Sequence, residues 1–76
     1  MPVTIHPTAI VNDAARLGED VRIGPFCTVG PDAVLGDRVT LNSHVVIEGH
    51  TTLGADSKVY PFAVLGCPPQ HTRFAG

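Results

Sequence analysis

Residues 5–70 read, in sixes, IHPTAI VNDAAR LGEDVR IGPFCT VGPDAV LGDRVT LNSHVV IEGHTT LGADSK VYPFAV LGCPPQ. All eleven hexads open on an aliphatic residue: Ile5, Val11, Leu17, Ile23, Val29, Leu35, Leu41, Ile47, Leu53, Val59 and Leu65. The phase never slips. A period of six fits neither the 3.6 of a helical stripe nor the 2 of one long strand. It describes a chain that turns a corner every six residues.

The other columns agree. The fifth is mostly small or β-branched, with Ala9, Ala15, Val21, Cys27, Ala33, Val39, Val45, Thr51, Ser57 and Ala63. It stands two residues before the next first-column aliphatic, and on an extended strand those two point the same way. The third and fourth columns (Glu19 and Asp20, Pro31 and Asp32, Asp37 and Arg38) are polar or turn-forming and are expected outside. The second holds Gly18, Gly24, Gly30, Gly36, Gly54 and Gly66, with Asn12 and Asn42. Gly and Asn tolerate positive φ, so these positions are read as the tight corners; a phosphate-loop reading lacks the helix it needs.

A longer period of three hexads repeats Leu-Gly at positions 17, 35 and 53. Three short strands per coil, stacked coil on coil, give an all-β fold: a triangular parallel β-helix of about three and two-thirds coils. Repeats of this kind bury their apolar face only against neighbours. Leu35 is expected between Leu17 and Leu53. A β-sandwich with coincidental spacing is the alternative.

The 76 residues allow one domain, hexads over 5–70 and a loop over 71–76. No helix is predicted. The register ends at Cys67, Pro68, Pro69 and Gln70, since two prolines cannot both serve a hydrogen-bonded ladder. The fourth coil lacks a third face, so the chain is expected to be the front part of a longer protein. Net charge is −2 with only five Lys and Arg, which argues against a nucleic-acid partner. No apolar run approaches the ~20 residues of a membrane span, and no signal peptide is read at the start. Two cysteines make no disulfide framework. Cys27 is expected buried, and a reducing, cytoplasmic setting fits both.

The hexads resemble the hexapeptide-repeat acyltransferases, whose fold is a left-handed parallel β-helix. Handedness comes from that resemblance alone, because ordinary parallel crossovers are right-handed. Longer strings narrow it: IHPTAI from Ile5, IGPFC from Ile23, SHVVIEGHT from Ser43, YPFA from Tyr60, and Pro69 and Gln70 followed by RFAG from Arg73. These are similar to the N-terminal quarter to third of UDP-N-acetylglucosamine O-acyltransferases. That family moves a 3-hydroxyacyl chain from acyl carrier protein to the sugar 3-hydroxyl, in lipid A biosynthesis. The resemblance implies a homotrimer; no cofactor is read from the chain, and no metal site, since His44 and His50 are six apart with no third ligand near in sequence. It places substrate contacts at Gln70, His71 and Arg73. In the family the glutamine is followed by aspartate, one residue, lysine and tyrosine; His71, Thr72, Arg73 and Phe74 depart from this. Arg73 keeps the charge with different geometry. The family's general-base histidine belongs to a later coil, so no catalytic residue is assigned here and the chain alone is expected to transfer no acyl group.

The chain's other histidines have blander uses. His6 lies in the first coil, and His44 and His50 hold fourth-column positions in consecutive hexads. Local bonding or subunit contact is the expectation for them. Zinc binding, as in hexapeptide carbonic anhydrases, needs a third histidine from a later coil. Two further functions stay open: another hexapeptide enzyme, such as a coenzyme A-dependent acetyltransferase or the N-acyltransferase acting later in the pathway, and a non-enzymatic, stackable β-helix module. The missing uridine-binding segment ahead of Ile5 weighs against the N-acyltransferase.

Overall fold

The computed structural model describes residues 3–66. Within them the only regular elements are eleven two-residue strands: β1 (Thr4–Ile5), β2 (Ile10–Val11), β3 (Arg16–Leu17), β4 (Arg22–Ile23), β5 (Thr28–Val29), β6 (Val34–Leu35), β7 (Thr40–Leu41), β8 (Val46–Ile47), β9 (Thr52–Leu53), β10 (Lys58–Val59) and β11 (Val64–Leu65). Each strand joins the sixth residue of one hexad to the first of the next. The four residues between strands make a corner.

The strands form three parallel sheets, β1-β4-β7-β10, β2-β5-β8-β11 and β3-β6-β9. Pairing advances by three hexads without slip: Ile5 opposes Ile23, Ile23 opposes Leu41, and Val59 opposes Leu41. Leu35 lies between Leu17 and Leu53, as the three-hexad period predicts. Hydrogen bonds run from coil to coil. Arg22 N–H donates to Val39 O and Gly24 N–H to Leu41 O, both at 2.9 Å. The expectation of an all-β, helix-free, triangular solenoid holds over these residues.

The core is a column of first- and fifth-column side chains. Val21, Ile23, Cys27, Val29, Ala33, Leu35, Val39, Leu41, Val45, Ile47 and Val59 are all buried, and no polar residue joins them. Val11, Leu17, Leu53 and Leu65 pack against this column but stay partly open. The middle coils are covered on both sides; the outer ones have a described neighbour on one side only. Cys27 is a free thiol inside the core, and its Sγ–H donates to Asn42 O at 2.7 Å.

The corners correct one expectation. Among non-glycine residues positive φ falls in the fourth column, at Asp20, Phe26, Arg38, His44, Asp56 and Phe62, with values of 58–66°. Among the second-column glycines only Gly66 has it, at 81°. Turning a non-glycine residue into the left-handed region carries strain. Here it swings the N–H toward the neighbouring coil: Arg38 N–H donates to Glu19 O (2.7 Å), Asp56 N–H to Asp37 O (2.8 Å) and His44 N–H to Pro25 O (3.0 Å). The corners between the second and third sheets close on themselves instead, with Ala15 N–H donating to Asn12 O at 3.0 Å. The second-column glycines serve stacking. A Cβ on Gly24 would stand 2.9 Å from Asn42 O, and one on Gly36 2.8 Å from Ala55 N.

Candidate functional site

The three-hexad repeat stacks like positions of successive coils, so each corner and each outer face carries a ladder of side chains. Three ladders bear chemistry.

The corner between the first and second sheets stacks Phe26, His44 and Phe62. The His44 ring lies 5.1 Å from Phe26 at 28° and 4.9 Å from Phe62 at 21°. An imidazole between two phenyl faces is held in place by packing. Phe26, Phe62 and the adjacent Tyr60 remain largely exposed. Beneath them, Thr8 Oγ1 accepts from Phe26 N–H (3.0 Å) and meets His6 Nδ1 (2.9 Å).

The corner between the third and first sheets stacks Asp20, Arg38 and Asp56. Arg38 donates through Nε to Asp56 Oδ1 at 2.7 Å and through Nη2 to Oδ2 at 3.1 Å. The hydrogen bond to Asp56 raises the affinity of Arg38 for its proton, and the charges of Asp56, Asp37 and Asp20 add to this. The same bond holds the Asp56 carboxyl below its usual range. Both side chains are more than half exposed, so the pair adds little stability in water.

The remaining corner brings His50 Nε2 to 3.9 Å from Asp32 Oδ2. That separation is longer than a hydrogen bond, and both side chains are exposed. Among the described residues, no three metal-ligating side chains come together, and no helix is long and apolar enough to cross a membrane. The predicted substrate contacts Gln70, His71 and Arg73 lie outside the described residues.

The outer faces differ in charge. The second sheet presents Ile10, Thr28, Val46 and Val64 in its sixth column, with Ile10 and Val64 exposed by 68% and 58%. The first presents Thr4, Arg22, Thr40 and Lys58, the third Arg16, Val34 and Thr52. A shallow apolar groove of about 520 Å³ runs beside the first sheet, over His6, Gly24, Pro25, Asn42, Ser43 and Pro61. The sequence reading missed both ladders of stacked corners. Their signal was present, since Phe26, His44 and Phe62, and likewise Arg38 and Asp56, hold the same column three hexads apart.

Comparison with known proteins follows the same geometry. Residues 14–49 match the family described as bacterial transferase hexapeptide (six repeats). The acyl-[acyl-carrier-protein]–UDP-N-acetylglucosamine O-acyltransferase of Mesorhizobium japonicum is 56% identical over 73 residues, covering 96% of this chain and 26% of that protein. The protein of the same name from Brucella ovis is 54% identical over 72 residues, covering 95% and 26%. A crystal structure of UDP-N-acetylglucosamine acyltransferase superposes with a TM-score of 0.85 and 38% identity, over 92% of this chain and 27% of that one. The Arabidopsis UDP-N-acetylglucosamine acyltransferase gives 0.80 and 37%, over 82% and 22%. The chain therefore spans about a quarter of the length of the relatives it matches.

Repeat, topology and superposition together give a left-handed parallel β-helix with a period of six residues. Within that class, its sequence and coordinates are similar to those of the UDP-N-acetylglucosamine O-acyltransferases.

Proposed function

We propose that this chain forms the N-terminal β-helix of an acyltransferase that carries a 3-hydroxyacyl group from acyl carrier protein to the 3-hydroxyl of UDP-N-acetylglucosamine, a cytoplasmic step of lipid A biosynthesis. The observation that carries the reading is identity of 56% sustained over 96% of the chain with a protein of that name. Gln70, His71 and Arg73 are its substrate-binding residues, and Arg73 supplies a cation for a phosphate. The general base and the rest of the site belong to further coils, as the resemblance to that family implies. The chain by itself then transfers no acyl group.

The same reading includes a homotrimer. The uncharged outer side of the second sheet, flanked by exposed Phe26, Tyr60 and Phe62, supports it, because contiguous exposed apolar surface marks a contact site. Ile10 and Val64 are then buried between subunits.

A chimaera tests the function. The whole 76-residue chain replaces the matched segment of the Brucella ovis relative, and transfer from 3-hydroxyacyl carrier protein to UDP-N-acetylglucosamine is assayed. Retained turnover is expected. A folded, assembled chimaera without turnover refutes the reading. Turnover by the 76-residue chain alone, lost in His50→Ala or His71→Ala, refutes the assignment of the base to other coils.

A further inference from the structure

The outer side of the first sheet runs Thr4, Arg22, Thr40 and Lys58, in register coil on coil. Rungs of a parallel sheet lie about 4.8 Å apart, so a hydroxyl flanks Arg22 on either side. Among the described residues, no carboxylate lies within ion-pair distance of Arg22. The adjoining corner adds Arg38. Asp56 grips its Nε and Nη2, which fixes the guanidinium plane and leaves Nη1 to other partners. Thr4, Asp20, Arg22, Arg38 and Thr40 together line one concavity of about 330 Å³.

We propose that this concavity binds a phosphoryl group of a small ligand through Arg22 and Arg38, with the hydroxyls of Thr4 and Thr40 completing the contact. A carboxylate, with two oxygens in one plane, is satisfied by a single guanidinium fork. Here donors arise on three successive coils and on a corner, so they reach a group from several directions. A phosphoryl group offers three strong acceptor oxygens to meet them. The backbone beneath is fixed by ladders on both sides of β4, so little ordering is needed on binding. Asp20 is the one acid in the lining, and it opposes the anion. The site goes beyond the proposed acyl transfer and does not depend on it.

Titration of the 76-residue chain with inorganic phosphate at constant ionic strength, followed by amide NMR, tests the site. Saturable shifts at Thr4, Arg22 and Thr40 are expected. Arg22→Gln weakens the affinity by about tenfold, the scale of one charge-assisted contact. Asp20→Asn tightens it. Asparagine tolerates the φ of 58° at that position, and a gain in affinity cannot arise from unfolding. Shifts that fail to saturate, or that are as large around Arg16 on the third sheet, overturn the site. So does an Arg22→Gln chain that melts like the parent and binds phosphate equally well. Phosphatidylglycerol vesicles, set against phosphatidylcholine ones, distinguish the source. Competition between vesicles and phosphate assigns the pocket to a lipid headgroup, and lack of vesicle binding assigns it to a free phosphorylated ligand. Vesicle binding without phosphate binding refutes it.

Discussion

Gly36 and Gly30 occupy the same column of adjacent hexads, yet the coil above treats them differently. A Cβ on Gly36 would meet backbone at 2.8 Å (Ala55 N) and 3.0 Å (Gly54 C), atoms that move only if the coils separate. On Gly30 the nearest atoms are Ile47 O at 3.4 Å and Glu48 Cα at 3.7 Å, which is ordinary contact. Gly36→Ala is expected to cost about 1–3 kcal/mol, as overpacking does. Gly30→Ala is expected to stay within about 0.5 kcal/mol of the parent, helped by a less flexible unfolded chain. Urea melts of the two variants check the contrast; equal losses would show that stacking distance is not what the glycines serve. At the core, Leu35 is 1% exposed between two leucine rungs. Leu35→Ala should cost about 2–5 kcal/mol. Leu35→Asp should prevent folding, since it buries an unpaired charge in a domain of marginal stability.

At the scale of the element, the corners hold the coils together as ladders. His44 stacks on two phenyl rings, and stacked pairs contribute about 0.5–1.5 kcal/mol each beyond burial. His44→Asn keeps a residue suited to positive φ and loses both stacks, so a fall of about 1–3 kcal/mol in thermal unfolding is expected. His44→Phe, which keeps a ring, should recover most of it. The Arg38–Asp56 ladder sets a pH response of known sign. The folded state lowers the affinity of Asp56 for its proton below the ordinary 3.8. Its contribution is therefore present above that value and fades as pH falls through the lower folded midpoint. In Arg38→Gln, the Asp56 carboxyl signal should titrate at higher pH than in the parent. An unmoved midpoint would show that the guanidinium is not its cause.

For the whole molecule, a solenoid of this length is governed by its ends and faces. Core packing is complete only in the middle coils; Ile5, in the first, is 42% exposed. Each coil is stable only against its neighbours, so partial unfolding is expected to begin at the outer coils. Hydrogen exchange should show protection at Gly24 and Thr28, bonded to the coil above, well beyond that at Phe62. Association through the apolar second face should make thermal stability rise with protein concentration. Sedimentation of the parent and of Ile10→Lys checks this: a trimer for the first and a smaller species for the second. A folded monomer of the parent would refute the proposed assembly.

The hexads alone determined the architecture apart from its handedness, which a period of six does not set. Eleven aliphatic residues at intervals of six set the interior, and the three-hexad recurrence set which rung lies on which, because one fold stacks both periods. Burial of Cys27 and the register of Leu35 followed from column membership. At the corners the sequence reading was wrong, placing positive φ on the second column where the fold puts it on the fourth. Whether positive φ falls on the second or the fourth residue of a hexad depends on where the turned N–H finds a carbonyl, and that carbonyl belongs to the next coil. The alignment of Phe26, His44 and Phe62, and of Arg38 and Asp56, was legible as shared columns three hexads apart, while their contacts depend on how the folded corner turns the side chains. The pocket around Arg22 has the same origin: its cations come from different hexads and only the wound coil sets them side by side.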